Sequence, residues 1–278
     1  MLYWKRGMNA VARMLRLDLR HSQRHYAAAL SSLLRPGDTW LDVGCGKQFA
    51  PAWAMGPDEQ ARLASRASLV VGLDLDSAML EHPHLKARVA GRGEMLPFAA
   101  GTFDLLSANM VFEHLQDPEG VLREALRVLK QGGRLLLLTP NYNHYLIRVA
   151  ALTPDFLKRR IVRLLEGRRS ADIFPAFYRL NTMRRICDAA ESCGLEVESI
   201  RTTIAPEFYA LGPLGVLECF WLKLLSVAGN GRFDTALVAT LRCPAAAPRA
   251  ALEAGEPGYA AAPFGFRRDD HGLSAETR

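Results

Sequence analysis

Two short apolar runs with acidic residues at their ends constrain this chain more than any other feature. Residues 41–46 read Leu-Asp-Val-Gly-Cys-Gly, and residues 70–74 read Val-Val-Gly-Leu-Asp. The first run stops in a glycine turn and the second at Asp74. A pair of such strand ends can hold a nucleoside-like ligand. The backbone comes close at Gly44 and Gly46, and a carboxylate takes the ribose hydroxyls.

The rest of the chain repeats that strand grammar. Helical spacing runs through 22–34, and Arg35-Pro36-Gly37-Asp38 ends it. Thr39–Val43 is the first strand, 58–66 a helix and Leu69–Leu73 the second strand. Ser77 is placed to cap a short helix, 87–90 forms a weak third strand and Phe103–Ala108 a fourth. Asp117-Pro118 opens a helix, with Asp117 as N-cap and Pro118 in the first turn. Val121, Leu122, Ala125, Leu126 and Leu129 repeat at helical spacing, and Gln131-Gly132-Gly133 is expected to stop that helix. Arg134–Thr139 is a leucine-rich fifth strand. Alternating strands and helices argue for a parallel sheet covered by helices. Beyond Pro140 the rhythm changes. Two basic helices are expected in 144–169, an aromatic connection in 174–182, a helix at 182–193 and a strand at 195–204. An apolar helix at 213–227 and a last strand at 235–242 follow. From 244 to 278 alanine, proline, glycine and charge predict a disordered tail.

Composition narrows the setting. The net charge is +6, with basic clusters in 1–24 and 158–169 that suit phosphates, anionic lipid, an acidic substrate or plain solvation. Five cysteines without a C-x-x-C predict free thiols rather than a zinc site or a disulfide framework. The start of the chain is basic without an unbroken apolar core, so no signal peptide is expected. The most apolar stretch, 211–228, is interrupted by Glu218 and Lys223, unlike a membrane span. A cytoplasmic, soluble protein without a bound metal is the expectation.

Six segments in order then resemble class I S-adenosylmethionine-dependent methyltransferases, in the type 11-like group of small-molecule and quinone methyltransferases. They are Leu41–Gly46, Gly72–Asp74, Glu94–Phe98, Phe103–Leu106, Glu113–Leu115 and Leu126–Gly133. The resemblance implies a doubly wound, Rossmann-like sheet of seven strands. It is mostly parallel, with an antiparallel last strand and helices on both faces, in a domain covering 1–243. It also implies S-adenosylmethionine as co-substrate. By resemblance, Asp42 places the ammonium group of the ligand tail, and Gly44, Cys45 and Gly46 form the turn that lets it approach. Asp74 accepts the ribose hydroxyls, Leu75 packs on the adenine, and Gly93, Glu94 and Met95 close over its other side. Asn109 lies where the methionine-binding backbone runs. Two positions depart from the family pattern. Gln48 replaces a customary glycine, and Arg92 stands where an acidic residue often meets the adenine amino group.

Methyl transfer from a sulfonium is an in-line displacement, so alignment matters most and a base helps a hydroxyl acceptor. His114 is the first candidate base and His144 the second. Residues 1–25 and 141–182 are expected to cap the substrate, with Tyr142, Tyr145, Phe174, Phe177 and Tyr178 lining an apolar pocket. Arg179 and the 158–169 cluster suit an acidic acceptor. Leu217, Phe220, Trp221, Leu224 and Leu225 fall in helical register, as a core face or as a weak contact with a membrane surface. Phe49, where a dinucleotide fold wants its third glycine, argues against a nicotinamide oxidoreductase. The stretch Asn109-Met110-Val111-Phe112 lacks the prolines of nucleic-acid amino-methylation loops, so an RNA substrate is a weaker alternative. A non-catalytic scaffold on the same fold is another. The expected acceptor is a small or lipid-like molecule, with oxygen, nitrogen and carbon acceptors and the oligomeric state left open.

Overall fold

The structure, a computed structural model, describes residues 21–153, 175–204, 213–229, 231–245, 265–269 and 272–276. Its helices are α1 (Ser22–Leu33), α2 (Pro57–Arg66), α3 (Pro118–Val128), α4 (Tyr145–Leu152), α5 (Met183–Cys193) and α6 (Pro213–Ala228). Its strands are β1 (Thr39–Val43), β2 (Leu69–Asp74), β3 (Ala87–Ala90), β4 (Phe103–Asn109), β5 (Leu129–Pro140), β6 (Glu196–Thr203), β7 (Ala236–Arg242), β8 (Gly265–Asp269) and β9 (Gly272–Glu276). They join in the order β6-β7-β5-β4-β1-β2-β3-β9-β8. Strands β1 to β5 run parallel to one another, and β7 lies antiparallel between β5 and β6. Strands β1 to β7 are the doubly wound, mostly parallel sheet that the sequence implies.

Alternation along each strand feeds two cores. Leu41, Val43, Val71, Leu73, Leu135 and Leu137 pack with α3 and α5 on one face. Trp40, Val70, Leu105, Leu136 and Leu138 pack with α1 and α2 on the other. Asp104 ties together the starting ends of β4, β1 and β5: one carboxylate oxygen accepts from Thr39 N at 2.9 Å, Thr39 Oγ1 at 2.8 Å and Lys130 Nζ at 2.6 Å. The helix ends follow their local chemistry. Asp117 Oδ1 accepts from Gly120 N at 2.9 Å to cap α3, and Thr182 accepts from Arg185 N to cap α5. Gly194 ends α5 in the left-handed conformation, φ +81°.

Three expectations change. The short helix after β2 is 3₁₀, Ser77–Glu81, and Asp76 caps it rather than Ser77. Helix α3 ends at Val128, before the Gln131-Gly132-Gly133 stop, and β5 begins at once with Leu129 beside Phe103. The two glycines serve a strand irregularity instead: Gly132 has φ +76°, and Gly132 N and Gly133 O bond to Cys243 at the end of β7. Within 244–278, residues 244–245, 265–269 and 272–276 are described. There β9 pairs parallel with β3, and β8 antiparallel with β9. An open strand edge offers backbone donors and acceptors to any extended segment, whatever its side chains. Last, the apolar side chains of α6 do not form a core face: Leu217, Phe220, Trp221 and Leu224 are exposed. Most of the first expected cap (1–20), the basic cluster at 158–169 and Phe174 lie outside the described residues.

Candidate functional site

Strands β1 and β2 end side by side, Asp42 against Gly72 and Val43 against Leu73. Beyond Val43 the chain turns sharply, with Gly44 N donating to Leu73 O at 2.7 Å. Gly44 and Gly46 have φ +66° and +48°, in the left-handed region. Asp74 fastens the turn: its Oδ2 accepts from Gly46 N at 2.8 Å and its Oδ1 from Asp76 N at 2.9 Å. Each oxygen keeps a second acceptor position, because a carboxylate oxygen carries two lone pairs. The two glycines have different reasons. A Cβ at 44 would lie 2.4 Å from Val111 Cγ2, so the steric demand there comes from the protein, not from a ligand. A Cβ at 46 would meet only open space, and the demand there is the backbone angle. Cys45 points inward and is buried under Gly72. Burial, with the charges of Asp42 and Asp74, pushes its thiol well up, which makes it a packing group.

Asp42 forms the floor of a cleft that Gln23, Gly46, Gln48, Phe49, Asn109 and Met110 also line. The Ser107 hydroxyl donates to Asp42 Oδ1 and accepts from Trp40 Nε1 at 2.7 Å. Burial pushes the Asp42 carboxyl up to about 7; the Ser107 bond opposes the shift and the nearby Asp74 adds to it. Such a group is ready to lose its proton when a cation arrives.

One wall of the cleft is an amide pair. Gln23 Nε2 donates to Asn109 Oδ1 and Asn109 Nδ2 donates to Gln23 Oε1, both at 2.8 Å. Asn109 Nδ2 also donates to Phe49 O at 3.0 Å. These bonds join α1, β4 and the segment after the glycine turn. Gln60, buried on α2, shapes that segment: it accepts from Phe49 N at 3.1 Å and donates to Ala50 O and Met55 O at 3.0 and 2.8 Å. Met110 follows Asn109 with φ +58°, rare for a side chain of its size. Gln23, Gln60 and Ser107 were not singled out from the sequence. A signal existed for Ser107, since a hydroxyl inside the buried run of β4 needs a partner. Gln23 and Gln60 lie on polar-looking helix positions and gave none.

The other rim lies past β2 and β3, where Gly91 N donates to Asp74 O at 3.1 Å. Leu75 and Met95 are 67% and 66% exposed, two large apolar side chains left uncovered on the two loops next to Asp74. Gly93 is buried, and a Cβ there would lie 3.2 Å from Val121. Glu94 is half-buried. Arg92 is exposed at the same loop.

The two candidate bases part company. His114 Nδ1 lies 2.8 Å from Pro175 O, and its Nε2 is 3.9 Å from Glu113 Oε1. Glu113 is buried. Burial raises its carboxyl to about 7 against a 3.1 Å bond from Thr139 Oγ1, which in turn accepts from Asn181 Nδ2 at 2.6 Å. Phe177 N and Tyr178 N both donate to Glu113 O, bringing the aromatic segment over this pair. Tyr142 and Tyr178 face each other at 5.6 Å. His144 is sealed in the interior, and burial lowers it to about 4. Tyr145 turns away and donates to Glu218 Oε1 at 3.2 Å, and Arg179 donates to Gln116 O.

Residues 41–137 match the family model described as a methyltransferase domain. A malonyl-(acyl-carrier protein) O-methyltransferase of Hahella chejuensis is 28% identical over 184 residues, 63% of this chain and 58% of that protein. A ubiquinone/menaquinone biosynthesis C-methyltransferase of Klebsiella pneumoniae is 33% identical over 115 residues, 38% of this chain and 43% of its own. The matches span from 19% to 58% of the length of such curated relatives, less than two thirds in each. Among solved structures, an S-adenosylmethionine dependent methyltransferase from Mesorhizobium loti superposes with a TM-score of 0.51 at 16% identity, over 80% of this chain and 98% of that one. At that identity the likeness speaks for the fold.

Proposed function

We propose that this chain is a class I S-adenosylmethionine-dependent methyltransferase, as the match of residues 41–137 to the methyltransferase-domain model supports, and that it moves a methyl group from S-adenosylmethionine to a small-molecule or lipid-like acceptor. The observation that supports this most is the glycine turn bonded to Asp74 where β1 and β2 end together. Asp74 would take the ribose hydroxyls with its remaining acceptor positions. Leu75 and Met95 would give up their exposure to the two faces of the adenine. Asp42 would face the ammonium group, with Gln23, Gln48 and Asn109 bordering the tail. Gly93 and Glu94 would shape the adenine loop, and exposed Arg92 takes no part in this assignment.

When bound, the co-substrate supplies a methyl carbon already activated by its sulfonium. What remains for the protein is alignment and removal of a proton. His114 suits the second task. A carbonyl only accepts, so the bond to Pro175 O puts the proton on Nδ1 and leaves a lone pair on Nε2. Glu113, 3.9 Å away, would steady the imidazolium that forms. The buried His144 has no comparable access. Relatives named for malonyl-(acyl-carrier protein) and quinone methylation support an acceptor with an apolar part, and the facing Tyr142 and Tyr178 suit one.

Calorimetry with S-adenosylhomocysteine tests the reading. Micromolar binding that weakens about 100-fold or more in Asp74→Ala is expected, since two hydrogen bonds to a charged group are lost. No binding at millimolar ligand would sink it. Transfer of labelled methyl to a product in cell extract should fall about 10²–10⁴-fold in His114→Ala. Full turnover would remove His114 from the mechanism.

A further inference from the structure

Helix α6 is turned inside out. Glu218 is buried, with its Oε1 accepting from Tyr145, and Leu222 is buried one turn later. Leu217, Phe220, Trp221, Leu224 and Val227 stand outward instead, each 44% to 67% exposed. Their spacing of three and four residues makes one stripe along the helix. The Tyr145–Glu218 bond fastens α4 alongside. That helix presents Val149 and Leu152, 60% and 81% exposed. Scattered apolar side chains are ordinary on a surface, but a stripe continued on a joined helix marks a contact face.

Charge selects what meets that face. The two helices carry Arg148 and Lys223, and their single carboxylate, Glu218, is directed inward. A second copy would set cation against cation, whereas anionic headgroups complement the face. Helix α6 is 16 residues long, about 24 Å at 1.5 Å per residue. No helix among the described residues is long and apolar enough to cross a membrane. We propose that α4 and α6 lie flat on an anionic lipid bilayer, the apolar stripe in the acyl boundary and Arg148 and Lys223 at headgroup level. Helix α4 follows β5 by only a few residues, and Thr139 near the end of β5 donates to Glu113. The inference rests on α4 and α6 and stands apart from the methyl-transfer reading.

The test is co-sedimentation of the full chain with vesicles of phosphatidylcholine and phosphatidylglycerol in equal parts. Binding should be about tenfold or more stronger than to pure phosphatidylcholine, and should fall with added salt. Trp221→Gln with Leu224→Gln should weaken it about tenfold or more while leaving the melting temperature and S-adenosylhomocysteine binding unchanged. A blue shift of tryptophan emission on binding should vanish in Trp221→Phe. Failure to sediment at millimolar lipid overturns the proposal, as does equal binding by the double variant. A dimer that Leu224→Gln abolishes also overturns it, assigning the face to self-association. Vesicle binding without S-adenosylhomocysteine binding would sink the enzymatic reading and leave this one standing.

Discussion

Asp42 shows how much one residue's surroundings decide. An ordinary carboxyl is ionised well below neutral pH, but this one is raised to about 7, chiefly by burial. A cationic ligand tail needs the ionised form, so S-adenosylhomocysteine affinity should rise with pH through about 7 and level off above it. Calorimetry in buffers of different ionisation enthalpy should then show proton release on binding by the wild type, and none by Asp42→Asn. An affinity that is flat in pH would remove Asp42 from the ligand site. Gly44 gives a second expectation at this scale. Gly44→Ala combines φ +66° with a Cβ 2.4 Å from Val111, and should cost about 1–3 kcal/mol in urea unfolding. Adding Val111→Ala should return the contact part and leave the backbone part. Full recovery would mean that the angle carries no strain.

At the scale of elements, the glycine turn and the segment behind it behave as one unit. Gln60 on α2 holds three backbone groups between Phe49 and Met55, and Phe49 O in turn meets Asn109. Gln60→Leu leaves those groups without partners in a dry interior and should cost about 3 kcal/mol. It should also weaken S-adenosylhomocysteine binding, which a purely remote packing defect would not do. Most elements were legible because period and caps agree locally: Asp117-Pro118 opens α3 as expected, and Gly194 closes α5 just past the expected helix over 182–193. The boundary between α3 and β5 was not. Leu129 continues the helical spacing of Val121, Leu122, Ala125 and Leu126, yet it pairs with Phe103 in the sheet. A helix period and a buried strand are both apolar there, and only the neighbouring strand chooses between them.

Across the whole molecule, buried titratable groups pull stability in opposite directions with pH. Asp42 and Glu113 are raised to about 7, and His82 and His144 are lowered to about 4, burial leading in each. Between pH 4 and 7 the raised carboxyls hold more protons folded than unfolded, so their contribution falls as pH rises. The histidines hold fewer protons folded, so theirs rises from about 4 to 6.5. Removing one falling contribution should therefore make Asp42→Asn gain on wild type as pH increases from 4.5 to 6.5, by up to about 1.4 kcal/mol per pH unit. Paired thermal melts check this, and a variant that loses stability relative to wild type as pH rises would contradict it. The sequence by itself determined the order of strands and helices, the doubly wound sheet, and the acidic strand ends at the edge where Asp42 and Asp74 stand. Those are features of local period and of residues a few positions apart. Tertiary structure alone decided that Gln23 meets Asn109 across 86 positions, that His114 rather than His144 stays accessible, that Asp42 holds its proton so tightly, and that α6 shows its apolar stripe outward. Burial and long-range pairing belong to the packed chain, and no spacing along the sequence encodes them.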